Sequence, residues 1–309
     1  MFSLPSAHYR KRPGERQTGT GDIVLGEAWS AQRRFAGEGT MTQKSGGGSE
    51  DPYAELPELY DLEHAGFTDD IELYLRLAEV VGDPILELGC GSGRVIAPLA
   101  AAGHRVTGVD RSRPMLDQAR SALNGQERDG DIWQRVTLSH GSMTEAEGAP
   151  GGPFGLVIFS LNGLMHLSNM AAQRAALTSA RRALDPRGML VIDLLNPTPE
   201  LLATLDGRVQ HDGSWRKSDG NVVDRFSART LDSAEQRIDT ELWYDLTGLA
   251  GQIRRVRSGF PLRYLGASEL ALLLELSGFV EWKLYGSYDL DAYDDGSDRL
   301  IVTAEVTPS

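Results

Sequence analysis

The stretch of sequence that decides the fold is Glu87-Leu88-Gly89-Cys90-Gly91-Ser92-Gly93. An apolar run, Ile85–Leu88, leads into the glycines, and a helical pattern, Arg94–Ala102, follows them. Three glycines at a spacing of two allow the backbone to turn sharply and to approach a ligand closely, with helix N–H groups directed at it. The stretch therefore predicts a ligand-binding loop between a buried strand and a helix.

Short apolar runs keep alternating with helical patterns on the C-terminal side of this loop. The alternation continues through residues 106–123, 156–184 and 189–194. It is typical of right-handed βαβ units, in which parallel strands are joined by helices. We therefore expect a doubly wound α/β protein with a mostly parallel sheet and helices on both faces.

Residues 208–262 interrupt this pattern with alternating apolar and polar residues. Asp219-Gly220-Asn221 and Gly248–Gly251 carry hairpin-turn signals, so the segment predicts an antiparallel β insertion. We expect it to serve as a lid over the ligand pocket or as a dimer interface, with Trp215, Trp243 or Tyr244 available to line the pocket. The α/β pattern resumes at Ser268, which is expected to be a helix N-cap.

Residues 1–50 differ from the rest of the chain. They include nine glycines and end in Gly46-Gly47-Gly48-Ser49, so we expect a disordered N-terminal extension followed by one domain over 51–309. Gly37-Glu38-Gly39-Thr40 would result from translating a ribosome-binding stretch, which suggests Met41 as an alternative start. A transit peptide is the weaker interpretation of the same residues.

Composition removes several classes of function. The chain has 309 residues, 40% of them hydrophobic, and a formal net charge of −13. No apolar run approaches the length of a membrane-spanning helix, and the acidic charge disfavours nucleic-acid and membrane partners. Cys90 is the single cysteine, so no intrachain disulfide can form, and a reducing, cytoplasmic setting is expected. The histidines have no metal-ligand partners at useful spacing, so no metal is expected.

The glycine spacing argues against a nicotinamide dinucleotide site. That fingerprint needs a small residue at the sixth position, where the helix packs on the strand. The sixth position is Arg94 when counted from Gly89 and Ile96 when counted from Gly91. A nucleotide-binding oxidoreductase is therefore the disfavoured alternative.

Asp110 follows the apolar run Val106–Val109 and lies seventeen residues after Gly93. A carboxylate at the carboxyl end of the second strand can accept hydrogen bonds from both ribose hydroxyls of a nucleoside. The alternative is a helix N-cap or turn residue. The glycine loop at this spacing favours the ribose interpretation.

Five stretches in order resemble the motifs of class I S-adenosylmethionine-dependent methyltransferases. They are Glu87–Gly93, Val106–Asp110, Gly141-Ser142-Met143, Phe154–Leu167 and Leu184–Gly188. The resemblance covers about residues 53–306 and implies a seven-stranded Rossmann-like sheet, S-adenosyl-L-methionine as cofactor and S-adenosyl-L-homocysteine as product. Ser160–Leu167, with Tyr60-Asp61 upstream, is similar to small-molecule members such as sugar-amine and glycine-type N-methyltransferases.

The resemblance also implies a set of cofactor-binding residues. These are Tyr60, Glu87, Gly89, Cys90, Gly91, Gly93, Asp110, Met115, Ser142, Met143, Ser160 and Asn162. The glycines would lie under the methionyl part and Asp110 would bind the ribose. Met115 and Ser142-Met143 would border the adenine, and Ser160 and Asn162 would lie by the sulfonium. Tyr60 would cover the cofactor or orient the substrate, unless it only packs in the core.

Two positions depart from the family pattern. Ser142 stands where the family usually has an acidic residue before the adenine, although its hydroxyl can still accept a hydrogen bond from the exocyclic amine. Gly155 stands where an aspartate commonly opens the fourth strand. Neither change removes a group that methyl transfer requires.

His166 is the candidate catalytic residue, because motif order places it just past the fourth strand on the substrate side. It would act as a base where the nucleophile must lose a proton, and its alternative role is structural. Ser160-Leu161-Asn162-Gly163 replaces the Asn/Asp-Pro-Pro-aromatic run of nucleic-acid base methyltransferases. The expected function is methyl transfer to an N or O nucleophile of a small metabolite, with a homodimer as the suggested assembly. The alternative is a non-catalytic S-adenosylmethionine-binding or oligomerisation module.

Overall fold

The computed structural model describes residues 51–124 and 132–306. The expected disorder of residues 1–50 and the alternative start at Met41 lie outside the described residues. The helices are α1 (Pro57–His64), α2 (Asp69–Val81), α3 (Ile96–Ala101), α4 (Arg113–Asn124), α5 (Ile132–Arg135), α6 (Met170–Ala183), α7 (Pro199–Ala203) and α8 (Ala267–Leu276). The strands are β1 (Ile85–Leu88), β2 (Val106–Asp110), β3 (Val136–His140), β4 (Phe154–Phe159), β5 (Leu184–Leu195), β6 (Asp206–Arg216), β7 (Val222–Asp232), β8 (Arg237–Thr247), β9 (Ile253–Arg263), β10 (Glu281–Tyr285) and β11 (Arg299–Glu305).

The larger sheet has seven strands in the order β10-β11-β5-β4-β1-β2-β3. Strands β1 to β5 are parallel, and β11 runs antiparallel to both of its neighbours. The chain builds outward from β1 in one direction through β2 and β3, and in the other direction through β4 and β5. The strand order therefore reverses between β1 and β4, where sheets of this type bind their ligands. The predicted doubly wound, mostly parallel fold is confirmed.

Apolar side chains alternate between the two faces of this sheet and form a separate core on each side. In β1, Ile85 packs in one core and Leu86 in the other. In β4, Ile158 and Phe159 divide in the same way. Helices α2, α3 and α4 cover the first core, and α6 and α8 cover the second. Burial of both faces explains why these strands read as continuous apolar runs in the sequence.

The predicted antiparallel insertion is a four-stranded sheet in the order β6-β7-β8-β9. It occupies the chain between α7 and α8. Two of its three turns fall at the predicted hairpin signals, and the third, residues 233–236 between β7 and β8, was not predicted. Its inward face packs on α1 in a third, smaller core, in which Leu56 and Leu59 meet Val223, Leu242 and Tyr244. The segment before β1 is thereby attached to the insertion.

Thr68 precedes α2 but makes no side-chain capping bond, because its backbone, with φ −129° and ψ −2°, lies outside the extended conformation of a usual N-cap. Two helix boundaries differ from the sequence predictions. Helix α8 begins at Ala267, so Gly266 and not Ser268 is the N-cap. Helix α3 begins at Ile96, two residues later than predicted.

Arg94, the residue that is incompatible with a dinucleotide fingerprint, has a structural partner. Its Nη1 donates to Asp70 Oδ1 at 2.8 Å and to the Phe67 carbonyl at 3.2 Å, and its Nη2 donates to Asp70 Oδ2. The guanidinium carbon lies 5.3 Å from the centre of the Phe67 ring. Asp70 is fully buried, so this pair ties the glycine loop to the start of α2.

No helix among the described residues combines the length and apolar character needed to cross a bilayer.

Arg94→Met is expected to destabilise the protein by about 3–5 kcal/mol, because it leaves the Asp70 carboxylate buried without its partner. The double variant Asp70→Asn/Arg94→Met should recover much of that loss. Urea denaturation measures both. The control is Arg120→Met, which breaks the exposed ion pair with Asp117 and should cost less than about 1 kcal/mol. A loss of unfolding free energy from Arg94→Met as small as that from the control would contradict the stabilising role of the Arg94–Asp70 pair.

Candidate active site

The glycine loop leaves β1 at the reversal of strand order and bends around the end of β2. The N–H groups of Gly89 and Cys90 both donate to the Val109 carbonyl, at 2.8 and 3.1 Å. Gly89 and Gly91 have φ values of +78° and +54°, which non-glycine residues rarely adopt. The loop therefore presents backbone to the space above the sheet.

Asp110 lies at the end of β2, beside the loop. Its Oδ2 accepts from the Gly91 N–H at 2.8 Å and its Oδ1 accepts from the Ser112 N–H at 2.7 Å. Burial raises the pKa of Asp110, and the two backbone donors oppose that shift. A carboxylate offers about four acceptor positions, so both oxygens can still accept from a ligand.

Glu87 is buried in β1 under the same space. Its Oε1 accepts from the Ser160 hydroxyl at 2.8 Å, whereas its Oε2 is buried without a hydrogen-bond partner. Burial raises the pKa of Glu87 to about 8, against the lowering effects of the Ser160 bond and of the Arg94 charge. The carboxyl group therefore holds a proton near neutral pH unless a cation or donor approaches it.

A tight turn follows β4 at Leu161 and Asn162, whose φ values are +38° and +65°. Side chains hold both residues in this left-handed conformation. Asn162 Oδ1 accepts from the Leu195 N–H at 2.6 Å, and Asp193 Oδ2 accepts from the Leu161 N–H at 3.2 Å. The turn places Ser160 and Asn162 on the cavity side and leads directly into the 3-10 turn Gly163–His166.

Asp193 is a fully buried carboxylate with partners from three other elements. Arg299 donates to its Oδ1 through both Nε and Nη2. The hydroxyls of Tyr288 and Tyr74 lie 3.1 and 3.4 Å from its Oδ2. These contacts fix the carboxylate that supports the turn after β4.

His166 lies in the cavity beside Tyr53, a residue of the segment before α1. The Tyr53 hydroxyl and His166 Nε2 are 3.2 Å apart, and the rings of both residues pack against Phe260 of β9. Burial, with a smaller effect of the Arg111 charge, lowers the pKa of His166 to about 4. The imidazole is therefore neutral at neutral pH.

One cavity of about 800 Å³ joins the glycine loop, Asp110, the turn after β4 and His166. Its walls come from α1 and the residues before it, the glycine loop, the ends of β2, β4 and β5, and the inward face of the antiparallel sheet. Tyr244 is part of the wall as predicted. Trp243 lies on the opposite face of β8, stacked on Phe226, and neither it nor Trp215 lines the cavity, because side chains alternate between faces along a strand.

The structure brings nine of the thirteen expected site residues to this cavity. They are Tyr60, Gly89, Gly91, Asp110, Met115, Met143, Ser160, Asn162 and His166. Glu87 and Cys90 are buried behind the lining. Gly93 is needed for packing, since a Cβ there would lie 3.2 Å from the Ala119 Cβ. The Ser142 hydroxyl accepts from the Thr144 N–H and caps the next turn.

Gly155, the second departure from the family pattern, has a steric reason. A Cβ at this position would lie 2.5 Å from the carbonyl oxygen of Gly82. The approach of the two backbone segments therefore excludes an aspartate where β4 begins.

Sequence reasoning missed several cavity residues, among them Tyr53, Arg225, Arg229 and Phe260. The arginines carry a signal that could have been used, because Arg225 and Arg229 share the period-two face of β7 with the buried Val223. No local pattern indicates which face of an insertion turns toward a pocket.

A Rossmann-like sheet with a glycine loop at its strand reversal and an acidic residue after β2 defines a nucleoside-binding α/β protein. The sequence matches the family described as methyltransferase domain over residues 85–188. It is 31% identical over 221 residues to a protein of Geobacillus sp. (strain WCH70) that carries a methyltransferase name, covering 72% of this chain and 83% of that protein. The chain belongs to the S-adenosylmethionine-dependent methyltransferases, whose methyl donor is S-adenosyl-L-methionine.

Other relatives match over a shorter region. The ubiquinone biosynthesis O-methyltransferase of Aromatoleum aromaticum is 31% identical over 121 residues, which is 39% of this chain and 47% of that protein. The chain thus spans less than half the length of that relative.

Solved structures share the fold. The CcbJ methyltransferase from Streptomyces caelestis aligns over 84% of this chain and 100% of its own, with a TM-score of 0.66 and 24% identity. The sugar N-methyltransferase KedS8 from Streptoalloteichus aligns over 87% of this chain with a TM-score of 0.65 and 20% identity. At these identities the likeness establishes the architecture.

Asp110→Ala is expected to weaken S-adenosyl-L-homocysteine binding at least tenfold, because each hydrogen bond to a charged acceptor contributes about 1.5–3 kcal/mol. Isothermal titration calorimetry gives the dissociation constant. The control is Asp117→Ala, which removes an exposed carboxylate from α4 and should leave binding unchanged. Equal affinities of Asp110→Ala and wild type would refute the ribose role.

Glu87 predicts a pH dependence of stability in the ligand-free protein. Its pKa is raised from 4.5 to about 8 on folding, so the folded state holds the extra proton between these values. This group therefore lowers stability as pH rises from about 5 to 8, by up to about 1.4 kcal/mol per pH unit. Glu87→Gln should gain stability relative to wild type over that range, as measured by thermal unfolding at several pH values. A difference that does not change with pH would contradict the assignment.

Proposed function

We propose that this protein transfers a methyl group from S-adenosyl-L-methionine to an N or O nucleophile of a small metabolite by in-line displacement. The observation that carries the proposal is the shared cavity. It joins the glycine loop and Asp110 on one side to the Tyr53–His166 pair and the antiparallel sheet on the other. A cofactor and a small acceptor can therefore meet in one cavity. A cytoplasmic, homodimeric enzyme without a nucleic-acid substrate is part of the same proposal.

The residues at the sheet edge fit the cofactor. The backbone of Gly89 and Gly91 lines the cavity without side chains, and Asp110 offers acceptor positions for ribose hydroxyls. Met115 and Met143 supply an apolar surface for the adenine. The cofactor supplies an activated methyl group on a sulfonium, so the protein's main task is to hold the acceptor in line with it.

The segment before α1 and the antiparallel sheet serve as the cover of the reaction space in this proposal. The Ser258 hydroxyl donates to the Pro52 carbonyl, and the Tyr244 hydroxyl donates to Glu63 Oε2 at 2.6 Å. These bonds join the two covering elements to each other. A closed cover excludes water and strengthens the polar contacts that orient the acceptor.

His166 and Tyr53 are positioned to contact the acceptor. A histidine with a pKa of about 4 is a weak base, so it is poorly suited to removing a proton from a hydroxyl group. A neutral amine can attack before it loses a proton. The low basicity of His166 therefore favours a nitrogen nucleophile within this proposal, with the Tyr53–His166 hydrogen bond orienting the amine.

His166→Ala is expected to lower kcat by about 10²-fold while leaving S-adenosyl-L-homocysteine affinity within twofold of wild type, because the side chain would contact the acceptor and not the cofactor. S-adenosyl-L-homocysteine release, measured against a panel of small amines and hydroxyl compounds, gives the turnover. The activity of wild type should show no ionisation of this histidine between pH 6 and 9.

The matched control is His104→Ala, which removes a histidine paired with Asp83 outside the cavity. Normal turnover by His166→Ala on an acceptor that wild type methylates would rule out the catalytic role. Loss of cofactor affinity in the same variant would place His166 in the cofactor site instead.

A further inference from the structure

The antiparallel sheet gives the cavity wall an unusual charge. Three of the sheet residues that line the cavity are charged, and all three are arginines: Arg208, Arg225 and Arg229. No sheet carboxylate lines the cavity, although the chain carries a net charge of −13. The cover is therefore locally basic on its inner face.

Arg225 is already neutralised within the protein. Its Nη1 lies 3.0 Å from Glu63 Oε1 and 3.2 Å from Asp212 Oδ2, and its side chain is only 15% exposed. The other Asp212 oxygen accepts from the Ser227 hydroxyl. Arg225 is thus a structural link between β6, β7 and α1.

Arg229 is paired much less well. Its Nη2 lies 3.7 Å from the same Asp212 oxygen, beyond hydrogen-bond distance, and its side chain is 31% exposed. Arg208 meets Asp206 at 3.2 Å in a pair whose arginine side chain is 86% exposed. Such exposed pairs contribute little, so both guanidinium groups have donors left for a ligand.

The strand register brings these two arginines together. Asp206 pairs with Thr230 and Val209 pairs with Ala228, so Gly207 and Arg208 together lie opposite Arg229 at a register shift between β6 and β7, and both arginines line the cavity. Like charges opposite each other on adjacent strands are unfavourable. An anion between two guanidinium groups removes that repulsion and accepts planar, bidentate hydrogen bonds.

We infer that Arg208 and Arg229 form an anion subsite, and that the methyl acceptor carries a carboxylate or phosphate group held there. This inference rests on the proposed methyl transfer, because the subsite shares its cavity with the cofactor residues and His166. The anionic group anchors the acceptor at the sheet, and its nucleophile extends toward Tyr53 and His166. The subsite thus selects acceptors by a group that does not react.

The test uses the full-length protein saturated with S-adenosyl-L-homocysteine and two probes, inorganic pyrophosphate and glutarate. Isothermal titration calorimetry at constant ionic strength measures the affinity for each. Wild type should bind at least one probe, and Arg208→Gln/Arg229→Gln should bind it about tenfold or more weakly. Binding of pyrophosphate alone identifies a phosphorylated acceptor, and binding of glutarate alone identifies a carboxylate.

The matched control is Arg254→Gln/Arg257→Gln, which removes the same charge from exposed positions of β9 that do not line the cavity. It should bind the probes as wild type does. The inference is overturned if wild type binds neither probe, or if both double variants lose affinity equally. The titration with S-adenosyl-L-homocysteine that precedes the probes separates the two proposals. If wild type does not bind S-adenosyl-L-homocysteine, the result counts against the cofactor site. If it binds S-adenosyl-L-homocysteine but neither probe, the result counts only against the anion subsite.

Discussion

The backbone bonds between the glycine loop and the end of β2 set the position of everything else in the site. Gly89 and Cys90 donate to the Val109 carbonyl, and Gly91 donates to Asp110. These bonds need a backbone path that only glycine follows without strain. They fix the floor of the cavity and orient the Asp110 carboxylate, the proposed ribose ligand. Gly93 allows α4 to pack closely against the loop. The same loop therefore lines the cavity on one side and contacts the core helix α4 on the other.

The second half of the site depends on a carboxylate that never reaches the cavity. Asp193 is buried in β5 and supports the left-handed turn at Leu161 and Asn162 through the Leu161 N–H. Arg299 and two tyrosine hydroxyls supply its remaining hydrogen bonds, as a buried charge requires. The direction in which the chain leaves β4, and hence the position of His166, therefore depends on a hydrogen bond to Asp193 in the neighbouring strand β5.

The sequence carried enough information for the fold and for the part of the cavity at the carboxyl edge of the larger sheet. The hydrophobic period, the glycine spacing and Asp110 are local sequence signals. The parallel sheet brings the residues that carry them together at its carboxyl edge. The substrate side depends on the pairing of distant segments, which no local pattern specifies. Tyr53 and His166 are hydrogen-bonded although 113 positions separate them in the sequence. Trp243 lies on the outer face of the antiparallel sheet because of the strand register. The structural roles of Ser142 and Gly155 were likewise not predictable from local sequence. The Ser142 hydroxyl caps a turn, and the Gly82 backbone lies too close to Gly155 for a side chain there.

The third core joins α1 to the antiparallel sheet and is separate from the two cores that flank the larger sheet. Elements that share a small core of their own tend to open as a cooperative unit at a lower free energy than the main domain. We therefore expect α1 and the antiparallel sheet, the proposed cover of the cavity, to open together as one subglobal folding unit. Amide hydrogens of α1 and of the inward residues of β8 should exchange together, ahead of those in β1 and β4. Entry of ligands into the cavity would then depend on the local stability of this unit, to which the packing of Leu56 and Leu59 contributes.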